Sequence, residues 1–102
     1  MSTALQKQDP IFPDPHETET SKIVMLETAT ETMMAYIGYL NTEIHKEEDQ
    51  PTPNQSKIQA LQVQKNVVLD ERHAITADSQ DLIDKAVYVY APILKAFYAS
   101  HG

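Results

Sequence analysis

The run QPTPN at residues 50 to 54 separates two long stretches whose apolar residues recur at helical spacing. Proline lacks a backbone N–H and its ring crowds the preceding turn. Pro51 and Pro53 therefore stop one helix and leave a short connection before the next. Helices joined by a short loop lie antiparallel, so this break predicts a helical hairpin.

Ahead of the break, Ile23, Leu26, Met33, Ile37, Leu40 and Ile44 alternate at spacings of three and four, with Thr30 filling the one gap. That heptad seam predicts a helix from Thr20 or Ser21, either of which can act as N-cap, to about residue 48. A helix of about 28 residues is about 42 Å long, which points to a coiled-coil-like hairpin or bundle. Its seam is longer than the other helices can cover, so part of it is expected to stay apolar and open. Gly38 lies inside this helix and costs roughly 1 kcal/mol against alanine. A close helix crossing would account for it, and so would a tolerated defect.

The second helix is expected over about 56–75. Leu61, Val68 and Ile75 form one strip beside Ala60, Val67 and Ala74. Ile58, Lys65 and Arg72 flank this stripe, and Val63 lies near its other edge. The small Ala60 and Ala74 would let a neighbouring helix approach.

KAVYVYAPILKAFYAS, residues 85–100, is the most apolar stretch of the chain. Its VYVY alternation is short and sits inside a longer helical pattern, in which Leu82, Ile83, Ala86, Val87, Tyr90, Ile93, Leu94 and Phe97 share one stripe. A third helix over about 78–100 follows, capped by Thr76 or Asp78, with Asp78, Asp81 and Asp84 near its positive end. Tyr88 and Lys95 should point away from the core. Pro92 removes a hydrogen bond to the Tyr88 carbonyl, so a kink or break is expected there.

Residues 1–19 read as a flexible arm because Pro10, Pro13 and Pro15 are closely spaced. Within DPIFPDP, Ile11 and Phe12 form an apolar pair on an extended segment. The pair is a docking motif, a patch onto the bundle, or mere decoration of a loose tail. The expected architecture is thus all-α: a long antiparallel hairpin closed by a kinked third helix, with a disordered arm ahead of a single domain over 20–102.

Composition closes off several chemistries. The only glycines are Gly38 and Gly102, so no Gly-rich phosphate cradle or dinucleotide fingerprint exists, and tight hairpins become unfavourable. With no cysteine there is no disulfide, thiol nucleophile or thiolate metal site. Fifteen acids face eight bases, of which Arg72 is the only arginine. A net charge of -7 argues against direct nucleic-acid binding. No window supplies the roughly 20 apolar residues of a membrane-spanning helix, and residues 1–20 lack a signal-peptide core. A cytoplasmic protein is expected, and secretion without a signal fits the same features.

Of the four histidines, His16 lies in the arm and His101 beside the last residue. Neither is expected to be held in place. Asp70 and His73 are three apart and Glu27 and Glu31 four apart, but no second acid-x-x-His pair completes a di-metal set. No metal or cofactor is expected. No serine or threonine has a spacing that suggests activation by a base, and a bundle this small leaves little room for a substrate pocket. The expectation is a protein that is not an enzyme.

What remains points to partners. Glu43, Glu47, Glu48 and Asp49 make a dense acidic turn with His45, which Asp49 could pair. Carboxylates at a helix C-terminus oppose the dipole, and such mismatches sometimes mark partner sites. Tyr36, Tyr39 and Tyr88, with Met34, would form an apolar patch if exposed together. The candidate partner-binding residues are therefore Ile11, Phe12, Met34, Tyr36, Tyr39, Glu43, Glu47, Glu48 and Tyr88. The function expected is a non-enzymatic interaction module, an adaptor, chaperone or inhibitor that binds another protein through helix faces. A self-assembling hairpin subunit is the first alternative. An acidic decoy for a nucleic-acid-binding protein is the second, though its acids are scattered rather than in rows.

Overall fold

The structure, a computed structural model, describes residues 19–101. All described elements are helical. Helix α1 spans Glu19–Glu48 and α2 spans Gln55–Ala74. The third helix is continuous but composite: α3 (Gln80–Lys85), a π-helical turn (Ala86–Tyr90) and α4 (Ala91–His101). The arm expected over 1–19, with Ile11 and Phe12, lies outside the described residues except for Glu19, which is already helical. Thr20 and Ser21 therefore sit within α1 and do not cap it.

The 51–53 break works as the prolines require. Asn54 caps α2 by accepting the Lys57 backbone N–H through Oδ1 at 3.1 Å. From the end of α1, Glu47 reaches across the turn. Its Oε2 accepts the Asn54 N–H at 3.0 Å, and its Oε1 lies 3.3 Å from the Lys57 ammonium. One carboxylate thus ties both helix ends together, and α2 returns antiparallel along α1. The second connection is held by Ser79, whose Oγ accepts the Thr76 N–H at 2.9 Å. Ser79, rather than Thr76 or Asp78, is the N-cap residue of α3. Asp78 instead pairs with Lys22 at 3.1 Å. This places the start of the third helix beside the start of α1 and makes the two run parallel.

Helix α1 is the spine. Met33, Ile37, Leu40 and Ile44 are buried as the seam requires, and Ala29 and Tyr36 join them. Val68 of α2 and Ile83, Ala86, Tyr90 and Leu94 of the third helix complete the core. Toward the start of α1, Ile23 and Val24 stay exposed, so the seam is indeed left partly uncovered.

The π turn is the chain's response to Pro92. Because Pro92 has no N–H to give the Tyr88 carbonyl, an α-helical turn there would be both unbonded and crowded. Instead the Ala91 N–H bonds the Ala86 carbonyl, five residues back. Lys85, Ala86 and Ala91 all keep right-handed helical backbone angles. The helix widens by one residue and continues, burying Ala86 and Tyr90 on the α1 side.

Two expectations change. The buried face of α2 runs through Ile58, Leu61, Lys65, Val68, Arg72 and Ile75, so Lys65 and Arg72 lie within the seam rather than beside it. Ala60, Val67 and Ala74 are exposed. No helix closes over them, because the third helix packs on α1 and scarcely on α2. Gly38 is exposed, and a Cβ added to it would meet nothing within 4 Å. No close helix crossing accounts for it.

Candidate functional site

Where the third helix leans toward α2, three side chains bridge the gap. The Glu71 carboxylate accepts the Tyr90 hydroxyl through Oε1 and the Lys85 ammonium through Oε2, both at 2.5 Å. The Lys85 ammonium also lies 5.5 Å from the Tyr90 ring centroid. Burial, reinforced by the bond to Glu71, pushes the Tyr90 hydroxyl up to about 12. The same carboxylate is the main reason that Lys85 holds its proton above the ordinary lysine range. Tyr36 stacks on Tyr90 with ring centroids 4.3 Å apart and accepts a 3.0 Å bond from the Gln64 amide. Its hydroxyl is also raised, chiefly by burial. Each polar tip in this cluster bonds another, and Tyr90 and Lys85 hold their protons more tightly than usual. The bridge is a structural clamp.

Beyond the clamp both helices carry exposed apolar side chains. Val67 lies three residues after Gln64 and four before Glu71, on the flank of α2 turned to the third helix, and is 44% exposed. Val63, 55% exposed, precedes it by one turn. On the third helix Val89 and Ile93 follow Lys85 at four-residue steps, and both are exposed. Ile93 also edges a groove of about 400 Å³ between α1 and α4, with Tyr39, Glu43, Lys46, Phe97 and His101. Here Tyr39 and Phe97 meet edge to face at 5.0 Å, and His101 stacks on Phe97 at 4.2 Å. His101 is therefore held, against expectation: its Nδ1 is 2.9 Å from both the Phe97 carbonyl and Ser100 Oγ.

On the other flank of the third helix lies a second groove, of about 410 Å³, between α1 and α4. It is built from Thr28, Glu31, Ala35, Ala91, Lys95 and Tyr98 over buried Leu94.

The expected partner residues divide accordingly. Tyr39 and Glu43 both line the groove beside Phe97. Met34 and Tyr88 are exposed, at 52% and 74%, but line neither groove. Tyr36 is only 2% exposed and belongs to the core, because the third helix covers it, so it is unavailable to a partner. Glu47 is spent on the turn: the Asn54 N–H and the Lys57 ammonium hold its carboxyl below the ordinary glutamate range. Glu48 pairs with His45 at 3.5 Å, a place the sequence offered to Asp49, and Glu43 pairs with Lys46 at 3.4 Å. Two of the four acids in this turn, Glu43 and Glu47, are thus paired with lysines. Ile11 and Phe12 lie outside the described residues.

Sequence reasoning missed Val89, Phe97, His101 and the Glu71–Lys85–Tyr90 clamp. The spacing of Lys85, Val89 and Ile93 was visible, but which side of the third helix met α2 was not. Lys65, in the α2 seam, is satisfied by Asn41 Oδ1 at 3.1 Å, whereas Arg72 Nε is buried with no hydrogen-bond partner. Among the described residues no three His, Asp or Glu side chains gather as a metal site, and no helix is long and apolar enough to cross a membrane. In comparisons with protein-family models, curated proteins and solved structures, nothing matches this chain.

Proposed function

We propose that this protein is a non-enzymatic interaction module that holds a helix of a partner protein between α2 and the third helix. The observation that carries the reading is exposed apolar surface on both helices, Val63 and Val67 on α2 and Val89 and Ile93 on the third helix. Apolar surface left open on two helices of a small bundle serves a partner or self-assembly. A third amphipathic helix laid against such surface buries its apolar face at i, i+3 and i+4 positions. The net charge of -7 favours a partner with basic flanks. Adaptor, chaperone and inhibitor are roles that this one binding mode serves.

Self-assembly is the second reading, because Ile23 and Val24 add exposed apolar surface on α1. The decoy reading gains no support. Its carboxylates would have to stand in rows, and among the described residues Glu43, Glu47, Glu71 and Asp78 are each paired with a lysine of the chain. Affinity capture from nuclease-treated extract separates the readings. One stoichiometric protein partner supports the module. Recovery of the chain alone in large assemblies would replace it with self-assembly, and a salt-released nucleic-acid-processing partner would revive the decoy.

A further inference from the structure

We infer that the chain's own N-terminal segment, DPIFPDP at residues 9–15, docks in cis into the groove between α1 and α4. The groove needs an apolar occupant. Its floor is Leu94 with Ala35 and Ala91, its edge is Tyr98, 55% exposed, and its volume of about 410 Å³ lies within the usual range for ligand pockets. Val24, exposed one turn before Thr28, continues the same strip toward the start of α1.

Tether length favours this occupant. Helix α1 begins by Glu19, nine residues before Thr28, which places the near end of the groove about 14 Å along the helix. Phe12 precedes Glu19 by seven residues, and seven extended residues span at most about 25 Å. The segment can therefore turn back along α1 and set Ile11 and Phe12 over Thr28 and Thr32 with slack to spare. A longer tether would dilute the effective concentration, and one a few residues shorter would not reach.

Chemistry favours it too. Pro10-Ile11-Phe12-Pro13 is a P-x-x-P run. It favours an extended conformer with few internal states, so docking it costs less ordering entropy than docking an ordinary loop. Such segments bind apolar grooves edged by aromatic rings. Lys95, on the groove wall, makes no ion pair among the described residues, and Asp9 and Asp14 flank the apolar pair. The inference does not rest on the partner reading, because it concerns the opposite flank of the third helix.

The absence of native cysteine makes a clean experiment possible. A nitroxide on a Gln8→Cys variant of the full, isotope-labelled chain should broaden the amide signals of Thr32, Ala35 and Leu94 severalfold more than those of Val63 and Val67. Adding Ile11→Ser and Phe12→Ser should restore them. In a mixture of spin-labelled unenriched chain and isotope-labelled chain without the nitroxide, no broadening is expected. Broadening in that mixture would assign the groove to a second copy's segment and overturn docking in cis. Equal broadening of both regions, or broadening that survives the Ser substitutions, would overturn the inference as well.

Discussion

The Tyr90 hydroxyl donates to Glu71 Oε1 over 2.5 Å, and this bond joins two helices that otherwise scarcely pack on one another. Tyr90 stands at the end of the π turn, so the widening forced by Pro92 also sets the ring that reaches α2. Together with the Lys85–Glu71 ion pair, this bond fixes the spacing of α2 and the third helix beyond what α1 imposes.

Tyr90→Phe keeps the ring stacked on Tyr36 and removes only the hydroxyl. A hydrogen bond to a charged group contributes about 1.5–3 kcal/mol, so thermal or urea unfolding should show a loss in that range. The variant should also change the alkaline limb. Tyr90 and Lys85 both have raised values in the folded chain, so their stabilisation is complete below their ordinary values near 10. It is lost as pH climbs through the folded values, about 12 for Tyr90. Stability measured from pH 9 to 12 should fall less steeply in Tyr90→Phe than in the parent.

Glu47 acts at the opposite end of the pH scale. Its carboxyl is depressed by the Asn54 N–H and by Lys57, so the staple is intact above the ordinary glutamate value and fails as pH drops through the folded one. Glu47→Gln should flatten the stability curve below about pH 4.3, the ordinary glutamate value. At neutrality it should fray the turn, seen as faster amide exchange at Asn54 and Lys57. An unchanged acid limb would mean that the staple does not form.

Gly38 is exposed within α1 and has open space where a Cβ would stand. Gly38→Ala should therefore stabilise the protein by about 1 kcal/mol, a Tm rise of about 4–8 °C for a domain of this size. A loss of stability would show that a neighbour approaches Gly38 after all.

Much of the fold is legible in the residues, and the exceptions share a cause. Pro51 and Pro53 mark a break whatever surrounds them, and the Met33-to-Ile44 seam has one apolar face only. Both are local facts. The α2 stripe was ambiguous because Val67 and Val68 are adjacent, and either could face α1. Polarity favoured the wrong neighbours: Lys65 and Arg72 lay their aliphatic stems along the seam, so charge misled where spacing was right. Pro92 announces a lost hydrogen bond, but the lost bond does not say whether the chain will bend or widen. Tyr36 read as part of a partner patch because its burial depends on where the third helix lands, which is a tertiary fact. The exposed apolar surface is of the same kind. Val63, Val67, Val89 and Ile93 are all visible in the sequence, but that α2 and the third helix are joined at all follows from the Glu71 clamp.

The central claim is that α2 and the third helix hold a partner between them. The most direct measurement captures partners from nuclease-treated extract with the parent chain and with Val63→Lys/Val89→Lys, one substitution on each helix. Both positions are exposed and lysine is a good helix former, so each change should alter stability by no more than about 0.5 kcal/mol. The account expects one stoichiometric protein with the parent and none with the double variant, at equal Tm. The same partner recovered equally by both chains, or the parent recovered only with itself, would contradict it.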